Sequence, residues 1–478
     1  MTECAAEQPL PTKLADTERD ARRPRLTLAL VASGMFMAVL DTTIVNVALP
    51  AMHVSLGASV GGLAWIVDAY TLSFAALILA GGVASDRFGA KAVYLWGLAL
   101  FVAASAACGL APNVGALVVA RFVQGSGAAL FLPASLAIVR STFEDPVERG
   151  RAIAAWAGIA SVAAAIGPVL GGLLVQGFGW RSAFLINVPT GLVAFAGAWV
   201  VVRHSTRSVG RHFDWGGQLA SIVALGALCY AAIELPSRGI AAREVWGAAL
   251  LAVLAALTLV VVERRAQHPM VPVEWFRNRM FVTMNAMGTL VYVGYFGLLF
   301  ELSLYLHGEF GFNAREIGLT LLPLAGSLSI GNVVVGRLHG RFTATQFMTT
   351  GLVLAAVAVP AMAMSLEWRA PWVFTYAAMV MFGGGTALSV PPMISTVLEQ
   401  VPGELAGVAS GLLNALRQAG GLVGVAMAGA ATILAPHVSI ALWWVAAMGL
   451  VTYASAAALA ACAAFAKQTC GETPGGNH

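Results

Sequence analysis

Residues 61–91 read GGLAWIVDAYTLSFAALILAGGVASDRFGAK. From Gly61 to Ala84 one charged residue, Asp68, interrupts an apolar run that shows no alternation. About 20 such residues cross a bilayer as a helix, and a backbone in lipid must satisfy its own hydrogen bonds as a helix or a closed barrel. The run therefore predicts a membrane-spanning helix. Asp86, Arg87 and Lys91 predict the turn where the chain leaves the membrane. The pattern recurs at 26–49, 91–111, 114–139, 150–175, 182–203, 216–236, 244–262, 280–306, 315–338, 344–365, 371–397, 405–433 and 438–466. Charged residues make up 10% of the chain and mean hydropathy is +0.81, against roughly a quarter charged in soluble domains. The expected fold is an all-α polytopic membrane protein with fourteen transmembrane helices.

The distribution of charge gives the orientation. With both termini placed in the cytoplasm, 20 of the 27 Lys and Arg fall on inner loops and tails and five on outer loops. This is the positive-inside pattern, and it accounts for the basic balance without nucleic-acid binding. The first apolar run follows a tail carrying Lys13, Arg19, Arg22, Arg23 and Arg25, so a permanent helix is expected rather than a cleaved signal peptide. The five cysteines are scattered with no metal or disulfide spacing. No G-x-x-x-x-G-K-[ST] loop, nucleophile–base set or metal cluster points to ATP use or catalysis.

Spaced glycines suggest a duplicated unit. Gly158, Gly167 and Gly171 match the spacing of Gly411, Gly420 and Gly424. Gly125 and Pro133 match Gly383 and Pro391, and Gly82, Arg87 and Gly97 match Gly336, Arg341 and Gly351. The expected organisation is a disordered tail (1–25), a six-helix bundle (26–203), a linker with two inserted helices (204–279), a second six-helix bundle (280–466) and a tail (467–478). Parallel repeats of this kind are typical of transporters with a substrate site between the halves.

In the loop Gly81–Lys91, Gly82 and Gly89 would permit close approach and a tight turn. Asp86 and Arg87 place opposite charges at the membrane edge, as a latch or a solvated turn. The loop resembles the G-x-L-a-D-r-x-G-r-k signature of the major facilitator superfamily. The first span ends Leu40-Asp41-Thr42-Thr43-Ile44-Val45-Asn46-Val47-Ala48-Leu49-Pro50, which resembles the L-D-x-T-x-V-N-V-A-L-P signature of that superfamily's fourteen-span drug:proton antiporters. Arg121-Phe122-Val123-Gln124-Gly125-Ser126-Gly127-Ala128-Ala129, Gly167-Pro168-Val169-Leu170-Gly171-Gly172 and Trp180–Pro189 resemble further motifs of that family, in order. Trp65–Tyr70 and Tyr94–Gly97 look most like the methylenomycin-resistance exporters.

The resemblance implies a monomeric bacterial inner-membrane exporter of small lipophilic drugs or antibiotics, with no cofactor beyond the proton gradient. A dedicated exporter of an endogenous metabolite is the alternative. At about 1.5 Å per residue, Asp41, Asp68 and Arg121 share one level of the first half. Such intramembrane charges are costly and mark functional sites. Asp41 is the first candidate proton carrier, with Arg121 tuning it; a structural role accepting from a neighbouring Thr or Asn is the other reading. Asp68 is a second proton site, a substrate counter-charge or Arg121's partner. Glu301, Tyr292, Phe296, Asn414 and Arg417 are the remaining substrate candidates, with packing as their alternative. Aromatic faces favour organic cations, so a cationic substrate is among the expectations. Gly82, Asp86, Arg87 and Gly89 would bias the transport states. Gly158, Gly167, Pro168 and Gly171 would line the moving interface, Pro168 kinking its helix.

Overall fold

The computed structural model describes residues 12–143, 145–203, 215–239, 241–265, 272–338, 341–402, 405–435 and 437–471. These are helical apart from short connections. The first half comprises α1 (Thr12–Leu56), α2 (Val60–Phe88), α3 (Ala90–Gly109), α4 (Val114–Thr142), α5 (Pro146–Phe178), α6 (Ser182–Leu185) and α7 (Asn187–Val201). The inserted pair is α8 (Trp215–Arg238) and α9 (Arg243–Arg265). The second half comprises α10 (Arg279–Phe310), α11 (Ala314–Thr320), α12 (Leu322–Leu338), α13 (Ala344–Glu367), α14 (Trp372–Glu399), α15 (Ala406–Leu434) and α16 (Val438–Gly471).

Thirteen spans among the described residues are long and apolar enough to cross a membrane. The fourteenth expected span is α15. Asn414, Arg417 and Gln418 lower its apolarity, and it packs among α2, α8, α10 and α16.

Two boundaries differ from expectation, and two spans are broken. Helix α1 begins at Thr12, inside the stretch expected as a disordered tail, because Lys, Leu, Ala, Glu and Arg there continue the helix. Helix α16 likewise runs through Lys467 to Gly471. Residues 1–11 and 472–478 of the two tails, and 204–214 and 266–271 of the linkers, lie outside the described residues. The sixth and tenth spans are each broken, at Ile186 and Leu321. Pro189 and Pro323 follow closely, and a proline has no N–H for the carbonyl four residues back.

The two halves repeat one packing scheme. Helix α1 packs on α5 and α7, α2 on α4, and α3 on α4 and α7. In the second half α10 packs on α15 and α16, α12 on α14, and α13 on α14 and α16. The glycine contacts repeat as well. A Cβ on Gly125 would strike the Tyr70 carbonyl and Ser73 hydroxyl, and one on Gly383 the Leu324 carbonyl and Ser327 hydroxyl. Gly167 and Gly171 pack against Thr43 and Ile44 of α1, as Gly420 and Gly424 pack against Thr289 and Val293 of α10. Small residues let backbones approach where lipid offers no hydrophobic drive for association.

Between the halves, α2 meets α15, α5 meets α11 and α12, and α1 meets α10 and α11. One apolar core joins Leu49, Met52, Leu63 and Ile66 of the first half to Leu302, Tyr305, Leu306 and Ile317 of the second. These residues lie toward the end of the bundle remote from the chain termini. A separate core, built on Tyr94, Phe101, Phe131 and Ile138, belongs to the first half.

Helix α8 sits against both α2 and α15, with α9 outside it. Its polar anchors reach α2. Gln218 Nε2 donates to the Ala76 carbonyl, and Trp65 Nε1 donates to Glu234 Oε1 at 3.2 Å. Helix α9 exposes Trp246, Leu250, Leu254, Leu257 and Val261, as a lipid-facing helix would.

Candidate transport site

Asp41 is the hub of a buried polar network inside the first half. Its Oδ2 accepts from Arg121 Nη1 at 2.5 Å. Its Oδ1 accepts from Gln124 Nε2 at 2.9 Å and Asn187 Nδ2 at 3.1 Å. Gln124 returns its carbonyl to Arg121 Nη1 at 2.7 Å and also donates to Ser105 at 2.9 Å. Arg121 Nε donates to the Ile66 carbonyl at 3.0 Å, and the guanidinium lies 4.4 Å from the Tyr70 ring centroid. Five helices, α1, α2, α3, α4 and α7, are tied through one carboxylate. All members are buried, so each charge depends on its partners.

Asp68 lies outside this network. Arg121 is engaged by Asp41, Gln124 and Ile66, so the expectation that Asp68 partners Arg121 is corrected. Both Asp68 oxygens are buried without a hydrogen-bond partner among the described residues. On α2, Ala64 and Leu79 pack toward Gly429 and Gly411 of α15, whereas Gly61, Trp65 and Ala76 face α8. Helical spacing sets Asp68 between these two faces, where α2, α8 and α15 meet.

In the second half, Tyr292, Phe296, Asn414 and Arg417 come together. The Arg417 guanidinium lies 4.3 Å from the Tyr292 ring centroid and donates through Nη2 to the Tyr292 hydroxyl. Its Nη1 reaches Asn414 Oδ1 at 3.5 Å. Phe296 stands 5.4 Å from both Tyr292 and Tyr295, ring to ring, and against Gly421 of α15. Glu301 is separate. Its Oε2 accepts from Thr432 of α15 at 2.6 Å, while Oε1 has no partner among the described residues.

The expected gating residues divide by position. Gly89 makes the turn between α2 and α3, with φ +91°. The close approach falls on Gly81, where a Cβ would strike the Ala129 carbonyl of α4; Gly82, of which that approach was expected, has open space. Arg87 is exposed and lies 5.6 Å from the Phe88 ring; Asp86 beside it is half-buried and engaged. On α5, Gly167 and Gly171 face α1 within the first half, and Gly158 is open. Pro168 and Gly172 face α11 across the halves.

Gln124, Asn187, Ser105 and Thr432 were not singled out in the sequence. Gln124 and Asn187 stood inside motifs that were, one of them three residues from Arg121. Thr432 carried no signal.

Residues 31–425 match the Major Facilitator Superfamily. The chain belongs to that superfamily. Methylenomycin A resistance protein of Streptomyces coelicolor is 38% identical over 402 residues, 84% of each chain. Multidrug resistance protein Stp of Mycobacterium tuberculosis is 35% identical over 421 residues, 88% of this chain and 78% of its own. A POT family transporter solved with a thioalcohol-conjugated peptide superposes with a TM-score of 0.69 at 12% identity, over 90% of this chain and 94% of that one. That likeness shows the fold alone. The protein is thus a multi-pass membrane protein of the superfamily, and its relatives include antibiotic- and multidrug-resistance proteins.

Proposed function

We propose that this facilitator-superfamily protein is a proton-coupled antiporter that exports small lipophilic drugs or antibiotics from the cytoplasm, and not an enzyme. It sits in the bacterial inner membrane as a monomer with both termini inside, and the proton gradient is its energy source. One observation carries the reading. The first half buries two carboxylates in opposite conditions: among the described residues Asp41 holds three donors and Asp68 none.

A carboxylate bound as Asp41 is cannot take a proton without giving up Arg121. Asp68 can load and release one with no bond lost, which favours it as the carrier. Asp41 and Arg121 then hold the bundle that presents it. Asp68 lies at the seam between α2 and α15, so a shift there would change its access. The apolar core joining the halves at the end remote from the termini supports a state closed toward the outside.

The test is substrate-driven proton release from energised everted vesicles, wild type beside Asp68→Asn and Asp41→Asn. Release abolished in Asp68→Asn supports antiport through Asp68. Release untouched in both variants moves the proton site to Glu301. A protein that answers no drug, only a compound made by its own cell, is a metabolite exporter.

A further inference from the structure

Arg417 is a buried cation without a counter-ion among the described residues. It is 8% exposed. Its partners are the neutral Tyr292 hydroxyl and Asn414 carbonyl, and its Nε has none. No acidic side chain among the described residues reaches it within ion-pair distance. Arg121, the intramembrane arginine of the first half, is neutralised by Asp41.

The asymmetry has a chemical consequence. Asp68 and Glu301 can each become neutral by binding a proton. A guanidinium stays charged under all physiological conditions, and an unpaired buried charge is strongly disfavoured. The interior therefore keeps one fixed positive charge that proton uptake cannot remove. The surroundings suit a lipophilic body with an acidic end. Tyr292, Tyr295 and Phe296 form an aromatic wall, and Met393 lies against Gly288 beside the Arg417 stem. The Tyr292 face that would attract an organic cation is already taken by the guanidinium itself.

We propose that Arg417 is the anion receptor of the transport site, and that the exported compounds are lipophilic acids carrying a single carboxylate. The carboxylate is received at the free Nε–H of Arg417, and the aromatic wall takes the apolar body. This rests on the exporter reading and narrows its substrate class from lipophilic drugs at large, cations included, to acids.

The test uses purified full-length protein and matched triads of acid, carboxamide and amine built on naphthalene, biphenyl and indole skeletons. Binding is read from the shift in thermal unfolding. The acids should stabilise wild type and the amides and amines should not. Arg417→Gln should weaken acid binding about tenfold or more, as loss of a charge-assisted hydrogen bond implies. Asn414→Asp is the second variant: it keeps Arg417 but gives it an internal carboxylate, and should remove the preference for acids while raising the protein's own melting temperature. If no acid outdoes its amide in wild type, or if the preference survives in folded Arg417→Gln or in Asn414→Asp, the proposal is overturned. Proton release in everted vesicles, driven by the same triads, separates this from the antiport reading. Acids that bind through Arg417 yet move no protons leave the receptor standing and remove antiport. Amides and amines that drive release as well as acids do the reverse.

Discussion

Pro168 of α5 and Gly318 of α11 meet backbone to backbone: a Cβ on Gly318 would collide with the Pro168 carbonyl. Nearby, a Cβ on Gly172 would stand 2.7 Å from the Ala314 carbonyl oxygen and 2.8 Å from the Arg315 Cα. Main chain cannot swing aside as a side-chain tip does. Gly318→Ala should therefore hold the halves apart at this end. The expected result is faster labelling of a cysteine placed at Ala314 by a membrane-impermeant thiol reagent, with transport reduced. Unchanged labelling would show that the contact does not set the state.

The signature loop offers a sharper contrast. Gly81→Ala drives a methyl into the Ala129 carbonyl, an overpacking that typically costs about 1–3 kcal/mol. Gly82→Ala enters open space inside α2 and should stabilise by about 0.5–1 kcal/mol, the usual gain of Ala over Gly in a helix. Melting temperatures of the two purified variants decide it, and equal losses would mean that α2 is rotated from its described orientation.

The reason the sequence misplaced this glycine is general to the chain. Helix α2 is apolar on every side, so its composition marks a span without marking which face meets α4. The spans themselves were legible because lipid demands long apolar helices, and the duplication was legible because glycines recur where backbones touch. The breaks at Ile186 and Leu321 had a signal in Pro189 and Pro323. The pairing of Arg121 was legible in part: Arg121 was expected to tune Asp41, but Asp68 shares that depth, and only the direction of the guanidinium chooses between them.

The Asp41–Arg121 pair should behave as a unit. Asp41→Asn leaves Arg121 buried without a counter-charge, and Arg121→Gln leaves Asp41 likewise. Each should destabilise by about 3–5 kcal/mol. The double variant should be less damaged than the sum of the singles, since neither charge is then left alone. Additive losses in thermal unfolding would mean that the two residues are not energetically coupled.

Asp68→Asn makes the opposite prediction. Its oxygens hold no hydrogen bond that the change could break, so folding stability should be unchanged or higher while drug-driven proton release is lost. A large drop in melting temperature would reveal a structural partner and argue for a packing role.

The inserted pair should travel with the first half. Helix α8 is hydrogen-bonded to α2 near both of its ends, through Gln218 and Glu234, and Tyr230 adds a ring contact to Trp65 at 6.4 Å. Toward α15, small residues along that helix would let it slide. Two cysteine pairs in a cysteine-free background separate the motions. A Cβ at Gly61 would lie 3.9 Å from Ile233 Cγ2, and one at Gly429 lies 3.7 Å from the Ala64 Cβ, within reach of a disulfide or a short bifunctional reagent. Joining Gly61→Cys to Ile233→Cys should leave transport intact. Joining Ala64→Cys to Gly429→Cys should stop it, and reductant should restore it. If the first lock also stops transport, α8 moves independently of α2, and the insert is a working part rather than a passenger of the first half. If neither lock matters, the α2–α15 seam does not open during transport, and access to Asp68 must come from another side of the bundle.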